Sequence, residues 1–253
     1  MAECYVYIML PRQRHFVTVG KFEHSNDRAG VAIGRFVYGR SYLERTDAVA
    51  LDPVELTLGG GTFRTTALKG TFGAIRDASP DYWGRRIIAR HVRQPALGEL
   101  DYLLQSPDDR AGALAFGLNQ QPPAPRREFN KTIELEQLQV IADAIVRDEE
   151  LPASSDVAQV QELVLIGTSM GGARPKAVVE DDDGLWIAKF NRPDDPWNSA
   201  RIEHAMLVLA RNCGLTTAES KVIRVADRDV YWSSALIDSE LTTVINALAW
   251  SAR

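Results

Sequence analysis

The chain has 253 residues, 45% of them hydrophobic and 25% charged, with a formal net charge of −5. This is the composition of an ordinary globular protein with room for one large domain or two smaller ones, and its charge supplies no general pull toward nucleic acid or anionic lipid. Cys4 and Cys213 lie far apart, which argues against a disulfide framework, and His15, His24, His91 and His204 show no metal-ligand spacing with them. The start, MAECYVYIMLPRQRHF, lacks the basic and apolar regions of a secretory signal, and no apolar run approaches a bilayer span. A cytoplasmic location is expected.

Short runs rich in Val, Ile, Phe and Tyr come first: Tyr5 to Leu10, Phe16 to Phe22 and Val31 to Val37. They predict a small antiparallel sheet. In ASPDYWGRRIIARHV, Ser79 is placed to cap a helix, with Pro80 in its first turn and Asp81 near its positive end. Tyr82, Trp83, Ile87 and Ile88 would form its apolar face, and a second helix is expected around Leu97 to Leu104. The proline-rich 120–127 reads as a connector, and PASSD at 152–156 marks a second break. Between the breaks, Leu135, Leu138, Ile141 and Ile145 predict an amphipathic helix.

From Leu163 the chain reads LVLIGTSMGGARPKAVVEDDDGLWIAKFNRPDD. Two β-like runs flank the turn signal Asp183-Gly184, and the glycine-rich stretch Gly167 to Lys176 sits ahead of the first of them. Glycines with hydroxyls and a basic residue can bring backbone N–H groups to phosphate oxygens, though such turns are more often plain loops. Lys189, flanked by apolar residues late in its strand, is similar to the phosphate-holding lysine of protein kinases; a lysine snorkelling to water is the plainer reading. Ile202, Met206, Leu209 and Cys213 make the stripe of a following helix that stops at Gly214. Beside the stripe, Glu203 is either solvent-facing, as most glutamates are, or faces the strand lysine. The order of these elements is that of a kinase N-lobe. Neither a Walker A loop nor a dinucleotide fingerprint is present.

GGARPKA, GLWIAKF and ARIEHAMLVLARNCGLTTAES resemble the glycine loop, nucleotide-lysine strand and following helix of HipA-family serine/threonine kinases, the toxins of bacterial toxin–antitoxin pairs. FGAIRDASPDYWGRRIIAR and LGELDYLLQSPDDRAGALAFG resemble that family's N-terminal domain, so the resemblance covers about residues 5–230. It implies an α+β fold: a β-rich HipA-type domain at 1–150, then an incomplete protein-kinase-like N-lobe at 151–230. It also implies ATP and Mg as cofactors and a HipB-like DNA-binding antitoxin as partner, with no direct nucleic-acid or membrane binding. Ser169, Gly171, Gly172, Ala173, Lys176, Lys189 and Glu203 would form the nucleotide site. Lys189 would contact ATP, with Glu203 as its partner and Lys176 as a further phosphate contact. Ser169 falls where some members carry a regulatory, autophosphorylated serine.

The departure from the family is at the end. Phosphoryl transfer needs an acid near the acceptor hydroxyl, an Asn and a second, metal-holding acid. Past the Asp194-Asp195 turn only Asp227, Asp229 and Asp238 remain, none in such a context. Catalytic and metal-binding residues are therefore expected to be absent, and the chain to be inactive. Back-translated with chosen synonymous codons and read two bases on, Tyr231 to Ala252 becomes LVKRFDRQRVDDGYQRARMVS, a family-like continuation. Residues 231–253 are thus expected to be an out-of-frame tail. The alternative function is a non-catalytic, antitoxin-binding fragment.

Overall fold

A computed structural model describes residues 2–13, 15–92, 96–106, 110, 112–123, 130–131, 135–149, 174–181 and 184–234. They fall into two compact units, one within 1–81 and 92–127, the other within 82–91, 128–168 and 172–253. No helix among the described residues is long and apolar enough to cross a membrane.

The first unit is built on the predicted β runs. β1 (Ala2–Met9), β2 (Phe16–Asn26), β3 (Ala32–Tyr38), β4 (Phe63–Thr65) and β5 (Leu114–Gly117) form an antiparallel sheet in the order β4-β3-β2-β1-β5. Val6, Phe22, Phe36 and Tyr38 supply its core together with residues of three short helices, α1 (Arg40–Leu43), α2 (Gly73–Asp77) and α4 (Glu99–Gln105). Gly34 is required where the chain crosses this sheet, because a Cβ there would lie 2.1 Å from the Gly70 carbonyl oxygen. Buried Arg110 donates to the carbonyls of Ala78 (2.7 Å), Leu103 (2.7 Å) and Ser106 (2.9 Å), satisfying the ends of α2 and α4.

The second unit contains α3 (Tyr82–Val92), α5 (Leu135–Arg147) and a sheet in the order β6-β7-β8-β10-β9. Its strands are β6 (Asn130–Lys131), β7 (Lys176–Asp181), β8 (Gly184–Phe190), β9 (Ser220–Val225) and β10 (Arg228–Ser234). Only β6–β7 is parallel. Alternation sorts the strand residues onto two faces. Ala177, Val179, Ala188, Phe190, Val230 and Trp232 point to one side, where Trp83 and Ile87 of α3 and Leu138, Ile141 and Ile145 of α5 close the core. The other side lies beneath α6 (Ser199–Asn212).

Three local expectations meet a different outcome. The hydroxyl of Ser79 has no hydrogen-bond partner, and α3 begins at Tyr82. α3 and α5 pack in the second unit's core, so sequence within 1–150 serves both units; the apolar faces of both helices find their cover on the β7–β10 sheet. The division expected at 230/231 falls inside β10, where Tyr231 and Trp232 are buried.

Candidate functional site

Lys189 sits near the end of β8, and its register partners are Lys176 on β7 and Tyr231 on β10. Directly opposed residues of antiparallel strands share a face, so all three project toward α6's side of the sheet. The Lys189 ammonium donates to Glu203 Oε1 of α6 and lies 5.1 Å from the centre of the Tyr231 ring. Burial pushes the Tyr231 hydroxyl above its ordinary pKa, and the Glu203 carboxylate adds to that. Lys176 is buried, and its carbonyl accepts from the Trp83 indole N–H at 3.2 Å, tying β7 to α3. The arrangement puts two lysines on neighbouring strands of one face, with the Glu203 carboxylate holding Lys189 in place. Such a face suits a polyanionic ligand.

Around this pair runs a polar framework. Asn198 caps α6, its side chain accepting from Arg201 N–H, and donates to Asp229 on β10 at 2.7 Å. Asp229, 4% exposed, also accepts from Arg201 at 2.5 Å and Arg224 at 3.3 Å. Hydrogen bonds from Asn198 and Arg201 hold its carboxyl below the usual carboxylate range. Arg174, just before β7, grips Asp195 with two bonds of 2.5 and 3.2 Å and reaches Ser199 at 3.0 Å. Burial alone would raise Asp195, but the Arg174 guanidinium and the Arg192 N–H outweigh it and lower its pKa.

Of the residues singled out from sequence, the structure brings Lys176, Lys189 and Glu203 to one face of the sheet. Ser169, Gly171, Gly172 and Ala173 lie outside the described residues. The stripe of α6 is placed differently from expectation: Ile202, Met206 and Leu209 are exposed, as is Cys213, and Ala200 is the helix's one buried residue. Glu203 and His204 reach the sheet from this helix, and of its large apolar residues only Leu207 is half-buried. Asp229, Arg174 and Tyr231 were missed because no local pattern marks them; their partners are brought close only by strand pairing.

Among the described residues no cluster of three His, Cys, Asp or Glu side chains could hold a metal ion. A groove of about 900 Å³ lies in the first unit, lined by Tyr5, Lys21, Arg35 and Tyr38 among others, and contains none of the residues above.

Residues 168–234 match the HipA-like C-terminal domain family. That segment is HipA-like. A solved HipA from a Shewanella oneidensis MR-1 toxin–antitoxin system, in complex with HipB and its operator DNA, shares the fold at a TM-score of 0.51 and 15% identity. That likeness covers 91% of this chain and 50% of the solved one, so this chain spans about half the length of the protein it matches. A search of curated proteins returns no match. The matched segment contains Lys176, Lys189, Glu203, Asp229 and Tyr231, so the whole polar framework of α6 and its sheet falls within the HipA-like portion.

Proposed function

We propose that the second unit is the nucleotide-binding part of a HipA-type serine/threonine protein kinase. In this reading Lys189 binds the α- and β-phosphates of ATP and Glu203 orients it. The Lys189–Glu203 ion pair carries the proposal: a strand lysine held by a helix carboxylate is the arrangement that sets a phosphate-binding ammonium in protein kinases. The family match to residues 168–234 supports it. Lys176 adds a second phosphate contact on the same face. The glycine-rich stretch with Gly171, Gly172 and Ala173 would offer backbone N–H groups, and Ser169 would be its regulatory phosphorylation site.

ATP would supply the transferable γ-phosphoryl group to a protein Ser or Thr. The basic face fits its polyphosphate, whereas the described residues offer no acidic set for Mg, and no transfer step is assigned to them. The reading is of nucleotide binding, with no turnover proposed for this chain. By analogy with the solved HipA–HipB–DNA complex, a HipB-like antitoxin is the proposed partner.

The test is titration of the chain with the fluorescent analogue mant-ATP. Saturable binding is expected, weakened roughly ten- to a hundred-fold by Lys189→Ala, since a charge-assisted contact is worth about 1.5–3 kcal/mol. Equal binding by parent and variant would overturn the assignment. Incubation with ATP and Mg is expected to give no mass shift at Ser169; a shift of one phosphate would overturn the inactive reading. An antitoxin-binding fragment without nucleotide affinity is the second reading, and absence of mant-ATP binding would favour it.

A further inference from the structure

A 14-residue helix on a sheet is ordinarily held by a stripe of buried apolar side chains. α6 is not. Its one buried residue is Ala200, while Ile202, Met206 and Leu209 face outward at 48%, 59% and 54% exposure. What fastens it is largely polar, and two of the ties at its N-terminal end meet at one carboxylate on β10. The Asp229 carboxylate, itself almost fully buried, takes hydrogen bonds from the cap residue Asn198, from Arg201 in the first turn and from Arg224 of β9. Glu203 projects from the turn that Asp229 fixes. Its reach to Lys189 therefore depends on a contact that Lys189 does not make.

We infer that Asp229 is a positioning residue: it latches the first turn of α6 to β10 and thereby sets the Lys189–Glu203 pair that the nucleotide reading requires. The consequence for nucleotide rests on that reading; the latch itself does not. Buried apolar contact is scarce here, so removing the carboxylate charge releases the helix rather than leaving it held by its other side. The other ties of the helix, Arg174 to Ser199, the Ala200 N–H to Asn191, His204 to Ser220, and Arg211 to Thr217 and the Ala218 carbonyl, do not touch Glu203.

The molecule carries its own reporter. Cys213, the C-terminal cap of α6, is exposed, whereas Cys4 is buried in the first unit and its thiol is pushed up to about 12 by that burial. A spin label will therefore attach at Cys213. A second label at Val140→Cys, an exposed position of α5, gives a distance across the second unit by double electron–electron resonance.

One narrow distance is expected in the doubly labelled parent, and a displaced or broadened distribution in Asp229→Asn. Asp229→Glu, which keeps the charge, is expected to restore part of the narrow distance. Mant-ATP affinity should fall roughly ten-fold in Asp229→Asn and recover with the glutamate. A distance distribution unchanged by Asp229→Asn overturns the latch, whatever happens to affinity. If the parent binds no mant-ATP, the nucleotide reading fails while the distances still decide the latch. Should Asp229→Asn lose its cooperative melt, Asn198→Ala, which removes one donor and the helix cap, is judged by the same distances.

Discussion

At the scale of single residues, charged groups buried among backbone carbonyls carry more than their number suggests. Arg110 satisfies three carbonyls at the ends of α2 and α4 and lies 4.9 Å from the Phe116 ring centre. A lysine has the charge but not the planar fork that reaches three acceptors at once. Arg110→Lys is expected to lower stability by roughly 2–3 kcal/mol, read as a shift of the first unit's urea midpoint. An unchanged midpoint would mean that water replaces those bonds at no cost. Lys189 was legible in sequence because apolar neighbours isolate it within a strand. Asp229 was not: nothing in ADRDVYW shows that Asn198, Arg201 and Arg224 converge on that carboxylate.

At the scale of elements, α5 and α6 make opposite cases. The stripe Leu135, Leu138, Ile141 and Ile145 predicts α5 and its buried face, because the sheet demands an apolar cover and the helix supplies one. α6 has a stripe of similar spacing, and it faces solvent among the described residues. Periodicity reveals that a helix has an apolar face, not what meets it. α3 adds a third case, since its sequence position places it among first-unit elements while Trp83 and Ile87 pack in the second. Trp83→Ala removes a fully buried indole and its bond to the Lys176 carbonyl. The expected cost is roughly 3–5 kcal/mol, falling on the unfolding transition of the second unit and leaving that of the first in place. Loss from the first unit's transition alone would contradict the division.

At the scale of the whole molecule, each unit holds titratable groups whose surroundings make its stability depend on pH. Asp229 and Asp195 have folded-state values depressed below their ordinary 3.8. Their contribution is complete above that value and is lost as pH falls through the lower folded ones. Acid should therefore loosen the second unit, and Asp229→Asn should flatten that limb of a circular-dichroism melt series. Cys4 is raised by burial from 9.0 to about 12, so its contribution is whole below 9.0 and is lost as pH climbs toward the folded value. Alkali should weaken the first unit, and Cys4→Ala should remove part of that loss.

The amino-acid sequence by itself determined β1 to β3, the β7–β8 hairpin with its lysine strand, and the helices α3 to α6, because each is encoded by neighbours within a few residues. The family resemblance followed from the same local strings. Only the tertiary structure decided that α3 and α5 cover the second sheet, that α6 is held by charge, and that Lys189, Glu203 and Tyr231 meet. Those outcomes depend on strand register and on contacts between distant segments, where a shift of one residue would turn Lys189 to the opposite face.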